Sequence, residues 1–472
     1  MADRDHRRHE DGDPCRRLYL GCRRRADAGV GERRQIMGGR IRRSVQEALD
    51  GTSEMARAAG DLHHLAIGPG AALEAEWIAA GLDLPDLPAM RQYRVDRTAE
   101  TLKAFGYDGV LVMDPMNIRY VSDTTNMQLW VMHNGARYAF VSAEGYVIVW
   151  DYEGCEFLSG HSHVVNEVRP AIGATYFLAG SRHEEQARRM AAEMVDVVAE
   201  HCGSNARIAV DQCHYVGYKE FERAGWTIEN GTELMEQARK IKGPDEIKAM
   251  RCSAHACQAA MYDMQQQMQP GMTERQIWAM LHAGNIARAG EWIETQILAS
   301  GPRTNPWFQE ASSRIVENGD IVAYDTDLVG AYGMMIDISR TWVCGDKAPT
   351  AHQRQLFDMA DEMVKTNAEL LTPGRSFREL TFDSVMPDRE QYRHYSVKFH
   401  GVGQCDEYPD IYHPWAWDEW GFDDELEVGM VLTSESYICS RDGGEGVKLE
   451  DQYLVTEAGP ELLTDFPVSL TL

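Results

Sequence analysis

Gly319-Asp320-Ile321-Val322-Ala323-Tyr324-Asp325-Thr326-Asp327, with Asp337 a short way on, carries acidic side chains at the end of an apolar run. A second stretch, from Glu435 to Glu450, repeats the arrangement around Met430-Val431-Leu432, and His400 lies between the two. Residues i and i+2 of a strand point to one face, so Asp325 and Asp327 are expected to project side by side. Gly330-Ala331-Tyr332-Gly333 supplies turn chemistry, and position 332 is the midpoint of Asp327 and Asp337, which should therefore face each other. Glu435 and Glu450 have their midpoint between 442 and 443, inside the turn Arg441-Asp442-Gly443-Gly444-Glu445-Gly446. Carboxylates buried in apolar strands need a countercharge. A pair of divalent cations on Asp325, Asp327, Asp337, His400, Glu435 and Glu450 would supply it. Oxygen ligands with one imidazole suit Fe, Mn, Co or Zn better than a thiolate-seeking metal.

Outward from these hairpins, the chain of 472 residues is long enough for two domains. Its net charge of −27, from 47 Lys+Arg against 74 Asp+Glu, excludes nucleic acid as a main partner. Ten cysteines without a CxxC pair are the usage of a reducing, cytoplasmic compartment. No apolar run is long enough to span a membrane.

Residues 1–73 read as an extension, largely disordered at its start. The first 44 hold 13 Arg against 7 acidic residues without apolar periodicity, or else precede a start at Met37 or Met55. Residues 74–242 alternate helix and strand. The spacing predicts a helix from Pro88 to Phe105 stopped by Gly106, and a buried strand at Gly109–Met113. A hairpin from Tyr138 to Trp150, a helix near Glu184–His201 and a strand at Arg207–Asp211 follow. Gly243-Pro244 breaks the chain and opens a second domain, 243–472, of long helices and hairpins.

The acidic hairpins, the intervening histidine and Ile241-Lys242-Gly243-Pro244-Asp245-Glu246-Ile247 resemble the pita-bread metalloenzymes: creatinase, prolidase, aminopeptidase P and methionine aminopeptidase. The resemblance implies an α+β protein, with a creatinase-like N-terminal α/β domain followed by a pita-bread catalytic domain. Peptidases of that fold also use a histidine before the first metal Asp and another shortly after the metal His. Here no histidine occurs between His282 and His352, and Asp406-Glu407 follow His400. Asn126-Met127-Gln128-Leu129-Trp130, Gly290-Glu291-Trp292-Ile293-Glu294-Thr295, Ala299-Ser300-Gly301-Pro302-Arg303-Thr304-Asn305-Pro306-Trp307 and Asp325-Thr326-Asp327-Leu328 resemble the DddP-type dimethylsulfoniopropionate lyases.

That resemblance implies β-elimination to dimethyl sulfide and acrylate, two divalent ions with iron first among Zn, Mn, Co and Ni, a small zwitterionic sulfonium substrate and a homodimer. The metals would hold the substrate carboxylate and stabilise the developing enediolate. Asp406 is the expected base, with Glu407 as second choice. A sulfonium is best held by aromatic faces, for which Tyr395, Trp130 and Trp307 are candidates. Arg303 could steer the carboxylate. An Xaa-Pro peptidase, a creatinase-like hydrolase and a non-catalytic binding module are the alternatives.

Overall fold

The computed structural model describes residues 68–471 and the two-residue strand Arg43–Ser44. The arginine-rich segment and both alternative starts lie outside the described residues, apart from that strand. Residues 68–471 belong to one compact unit.

In the N-terminal half, alternation of side chains decides the architecture. Leu111, Phe140, Ile148, Ile208 and Val210 enter one apolar cluster with Met190, Met194 and Val197 of the helix His183–Cys202. Their strand neighbours Val110, Val112, Ala139, Val141, Val149 and Ala209 enter another with Val95, Leu102, Leu234 and Met235. Strands with both faces buried need helices on both sides, and each such side chain contributes roughly 1.5–3 kcal/mol by leaving water. The strands run in the order Val165–Pro170, Val147–Asp151, Tyr138–Ser142, Gly109–Val112, Arg207–Val210, Thr227–Asn230. Pairing is antiparallel through the central hairpin and parallel at both flanks. The helix Leu87–Phe105 is capped by Asp86, which accepts from the Ala89 N–H at 3.1 Å, and it ends at Gly106 with φ 68°.

The C-terminal half opens with the helix Pro244–Gln267, where the Glu246 carboxylate accepts from the Gly243 N–H at 3.0 Å. Trp77 and Met90 pack with Ala249, Met250, Val329 and Met335, so the two halves share an apolar core. Two short sheets and one large one follow. Ile321–Tyr324 is central in the first, between Leu298–Ser300 and Arg340–Val343. Leu328–Val329 lies between Trp292–Ile293 and Met335–Ile336 in the second. The large sheet holds Asp406–Tyr412, Val397–Val402, Val431–Ser440, Gly446–Thr456 and Gly459–Leu462 in that order. Among the described residues no helix is long and apolar enough to cross a membrane.

Candidate metal centre

Each acidic pair reaches the site by a different local device. Glu435 and Glu450 are direct cross-strand partners in the long antiparallel hairpin, as the midpoint of their positions requires. Leu328 pairs with Ile336, which brings Asp327 and Asp337 to neighbouring ends of the next short hairpin. Asp325 and Asp327 depart from expectation. They do not sit on one continuous strand, because the strand ends at Tyr324 and Leu328 begins in a different sheet. Asp327 has φ 37°, which the short polar side chain of Asp tolerates better than most. Thr326 holds this break in place: its hydroxyl donates to Ile336 O at 3.0 Å and accepts from Ile338 N–H at 2.9 Å.

His400 lies on Val397–Val402 and Asp406 begins the returning strand. The register shifts between His400 and Gly401. At Gly403 a Cβ would lie 2.0 Å from a Glu407 carboxylate oxygen, so the turn admits no side chain there.

Asp325, Asp327 and Asp337 can bring ligand atoms within 4.8 Å of one another, and so can Asp337, His400 and Glu450. Asp337 belongs to both groups. Glu435 lies beside them, with Oε1 3.7 Å from His400 Nε2. These carboxylates are buried. Burial pushes the Asp325, Asp327 and Asp337 carboxyls up, and neighbouring carboxylates add to it. Burial likewise takes Glu435 up to about 8. Asp337 Oδ1 and Glu435 Oε1 have no hydrogen-bond partner. Buried, mutually repelling oxygens with unused lone pairs are the donor set that a hard divalent cation requires, and the residues fit such an ion.

One countercharge belongs to the chain itself. Lys448 Nζ lies 2.6 Å from Glu450, 2.9 Å from Glu435 and 3.1 Å from Asp325. Ser339 Oγ is 2.6 Å from Asp325 and 2.8 Å from Glu450, and accepts from Lys448 at 3.0 Å. Thr295 donates to Asp327. Sequence reasoning passed over all three. Lys448 had a signal: it is two residues before Glu450 on the same strand, hence on the same face.

The cavity over this cluster has a volume of about 510 Å³ and is lined by Asp325, Asp327, Asp337, Tyr395, His400 and Asp406, among others. Asp406 differs from the ligand carboxylates in being open, with a side chain 56 % exposed. Partial desolvation raises its carboxyl, and Glu450 adds to the rise while His400 opposes it. Glu407, next in sequence, also borders the cavity, but its carboxylate is held by cations. It is 3.0 Å from Lys242 and 3.5 Å from Arg239, and accepts from the Gln404 N–H at 2.9 Å. Burial pushes its carboxyl up, but the two cations outweigh this and hold it below the ordinary value. Arg303 is likewise engaged, with the buried Glu274 and with Glu310 O.

Of the expected aromatic residues, Tyr395 lines the cavity. Trp307 does not: it is buried, stacks on Tyr437 at 5.5 Å and lines a second cavity. Trp130 packs beside Tyr152 and Phe177 in the N-terminal half, at 5.5 and 6.0 Å.

This fold and centre define a two-domain protein of the M24 metallopeptidase class. Residues 248–457 match the metallopeptidase family M24, and residues 94–241 match the creatinase/prolidase N-terminal domain. The pita-bread architecture agrees with solved structures. The Xaa-Pro dipeptidase from Bacillus anthracis aligns with TM-score 0.64 over 81% of this chain and 100% of its own, at 22% identity. At that identity the likeness bears on fold alone. Within the class the chain belongs to the DddP family of dimethylsulfoniopropionate lyases. It is 45% identical to dimethylsulfoniopropionate lyase DddP of Roseovarius nubinhibens, over 86% of this chain and 93% of the relative. It is 43% identical to that of Roseobacter denitrificans, over 86% and 92%.

Proposed function

We propose that this chain is a metal-dependent carbon–sulfur lyase that cleaves dimethylsulfoniopropionate to dimethyl sulfide and acrylate. The observation that carries the reading is its near full-length relation to two lyases of that name. The site geometry is compatible with it. Asp406 is the base: it removes a proton alpha to the substrate carboxylate, the C–H electron pair becomes the new double bond, and the C–S pair leaves with sulfur. Dimethyl sulfide departs neutral, and acrylate keeps the carboxylate. An exposed carboxylate with a raised pKa can then pass its proton to water. Asp325, Asp327, Asp337, His400, Glu435 and Glu450 would hold two divalent ions, iron in our reading, which would supply a Lewis acid for the substrate carboxylate. Tyr395 offers its ring face to the sulfonium.

The protein acts in the cytoplasm, in keeping with the free cysteines among its described residues. It acts as a homodimer. Leu129, Tyr176 and Phe177 are 69 %, 70 % and 73 % exposed around Trp130, an apolar face that a second copy would cover. Trp130 reaches substrate only if that copy presents it.

Headspace assay of dimethyl sulfide with metal-loaded protein tests the activity. Sulfide above a protein-free blank is expected. Its absence with iron, zinc, manganese, cobalt and nickel alike would overturn the reading. Proline release from Xaa-Pro dipeptides would move the assignment to a peptidase.

A further inference from the structure

A second cavity, of about 320 Å³, lies on the other side of Tyr395. Trp307, Phe308 and Trp415 wall it, and Arg389, Arg393 and Arg441 line it. Pairing of Tyr392–Arg393 with Cys439 and Ser440 brings these arginines to one rim. Arg441 Nε donates to Arg389 O at 2.6 Å, and the Arg389 guanidinium lies 4.5 Å from the centre of the Trp415 ring. Among the described residues none of the three arginines has a carboxylate partner. The chain carries 74 acidic against 47 basic side chains, so partners for an arginine are plentiful. Three unpaired guanidiniums meeting in one aromatic cavity are therefore a cationic site. Guanidinium groups match the planar carboxylate, which they bind through paired N–H donors.

Tyr395 is the shared wall. Its ring faces the metal-centre cavity, 4.9 Å from Lys448 Nζ, and it stacks on Phe308 at 5.0 Å toward the arginines. The cavity on one side is lined by carboxylates and the one on the other by arginines.

We propose that the arginine cavity is a binding site for a short monocarboxylate, separate from the metal centre. The ligand's identity rests on the lyase reading. Elimination turns a zwitterion into a neutral sulfide and an anion, and the arginines beyond Tyr395 attract that anion once it leaves the metal centre. The site is then where acrylate lodges on leaving.

The test uses full-length protein stripped of metal, so that neither turnover nor metal coordination contributes. Sodium acrylate, and separately sodium propionate, is titrated at constant ionic strength against a chloride control and followed by saturation-transfer NMR. Saturable binding of both is expected, weakened at least about tenfold in Arg393→Ala/Arg441→Ala, with Arg393→Lys/Arg441→Lys between the two. A matching circular dichroism spectrum checks that the variants fold. No saturable transfer in the parent, or equal affinity in the alanine variant, overturns the proposal. Binding without dimethyl sulfide production would sink only the lyase reading; sulfide production without binding would sink only this one.

Discussion

His400 Nδ1 lies 3.5 Å from Asp406, while Nε2 of the same ring lies 3.2 Å from Glu450 and 3.4 Å from Asp337. The imidazole thus separates the open carboxylate from the buried ones. Asp406 is in neither group of residues whose ligand atoms converge. Asp406→Asn is expected to lower kcat by about 10²–10⁴, the usual worth of a general base, with metal content unchanged by elemental analysis. Loss of metal in that variant would make Asp406 a ligand instead.

Lys448 supplies positive charge to three buried carboxylates, and burial alone would drive its proton off. Asp325, Glu435 and Glu450 more than offset that and hold the ammonium well above its ordinary pKa. Removing one partner of a buried ion pair costs about 3–5 kcal/mol. Lys448→Met should therefore destabilise the metal-free protein by that order, and the metal-loaded protein less, because the cations take over the countercharge. Thermal unfolding of both forms gives the comparison. Equal losses would mean that Lys448 acts by packing and not by charge.

Much of the centre was legible in sequence because antiparallel pairing keeps the sum of partner positions constant. That arithmetic places Glu435 opposite Glu450 and Asp337 near Asp327. The strand period of two fails for Asp325 and Asp327, since no glycine or proline marks the point where the chain passes from one sheet to the next. Asp406 and Glu407 both border the cavity, and what separates them is that Lys242 and Arg239, distant in sequence, engage Glu407 and leave Asp406 open, which spacing does not announce. Trp307 misled because its partner, Tyr437, comes from a strand far along the chain.

Tyr395 should affect binding and not the chemical step. Tyr395→Phe keeps the ring face and is expected to leave KM within about twofold, whereas Tyr395→Leu should raise it by roughly 2–30-fold, the range of a cation–π contact, with kcat little changed. Steady-state rates of sulfide release decide this. A large kcat loss in the phenylalanine variant would point instead to a role for the hydroxyl.

His413 gives the protein a sensitivity to acid that is independent of the metal centre. Its side chain is fully buried and stacked on Trp415 at 4.3 Å. Burial pushes its pKa down to about 2, and the nearby Lys398, His394 and Arg389 act in the same direction. The folded imidazole therefore stays neutral over a range in which the unfolded one takes up a proton. Its contribution is fully present above the unfolded value of about 6.5 and is lost as pH falls toward the folded value. At 1.36 kcal/mol per unit this amounts to about 2 kcal/mol between pH 6.5 and 5. His413→Phe preserves the stack and removes the titration. Denaturant unfolding of metal-free parent and variant at pH 7 and pH 5 should show the parent losing about 2 kcal/mol more than the variant. If the two lose stability in parallel, His413 is protonated or hydrated in the folded state and the acid sensitivity arises elsewhere.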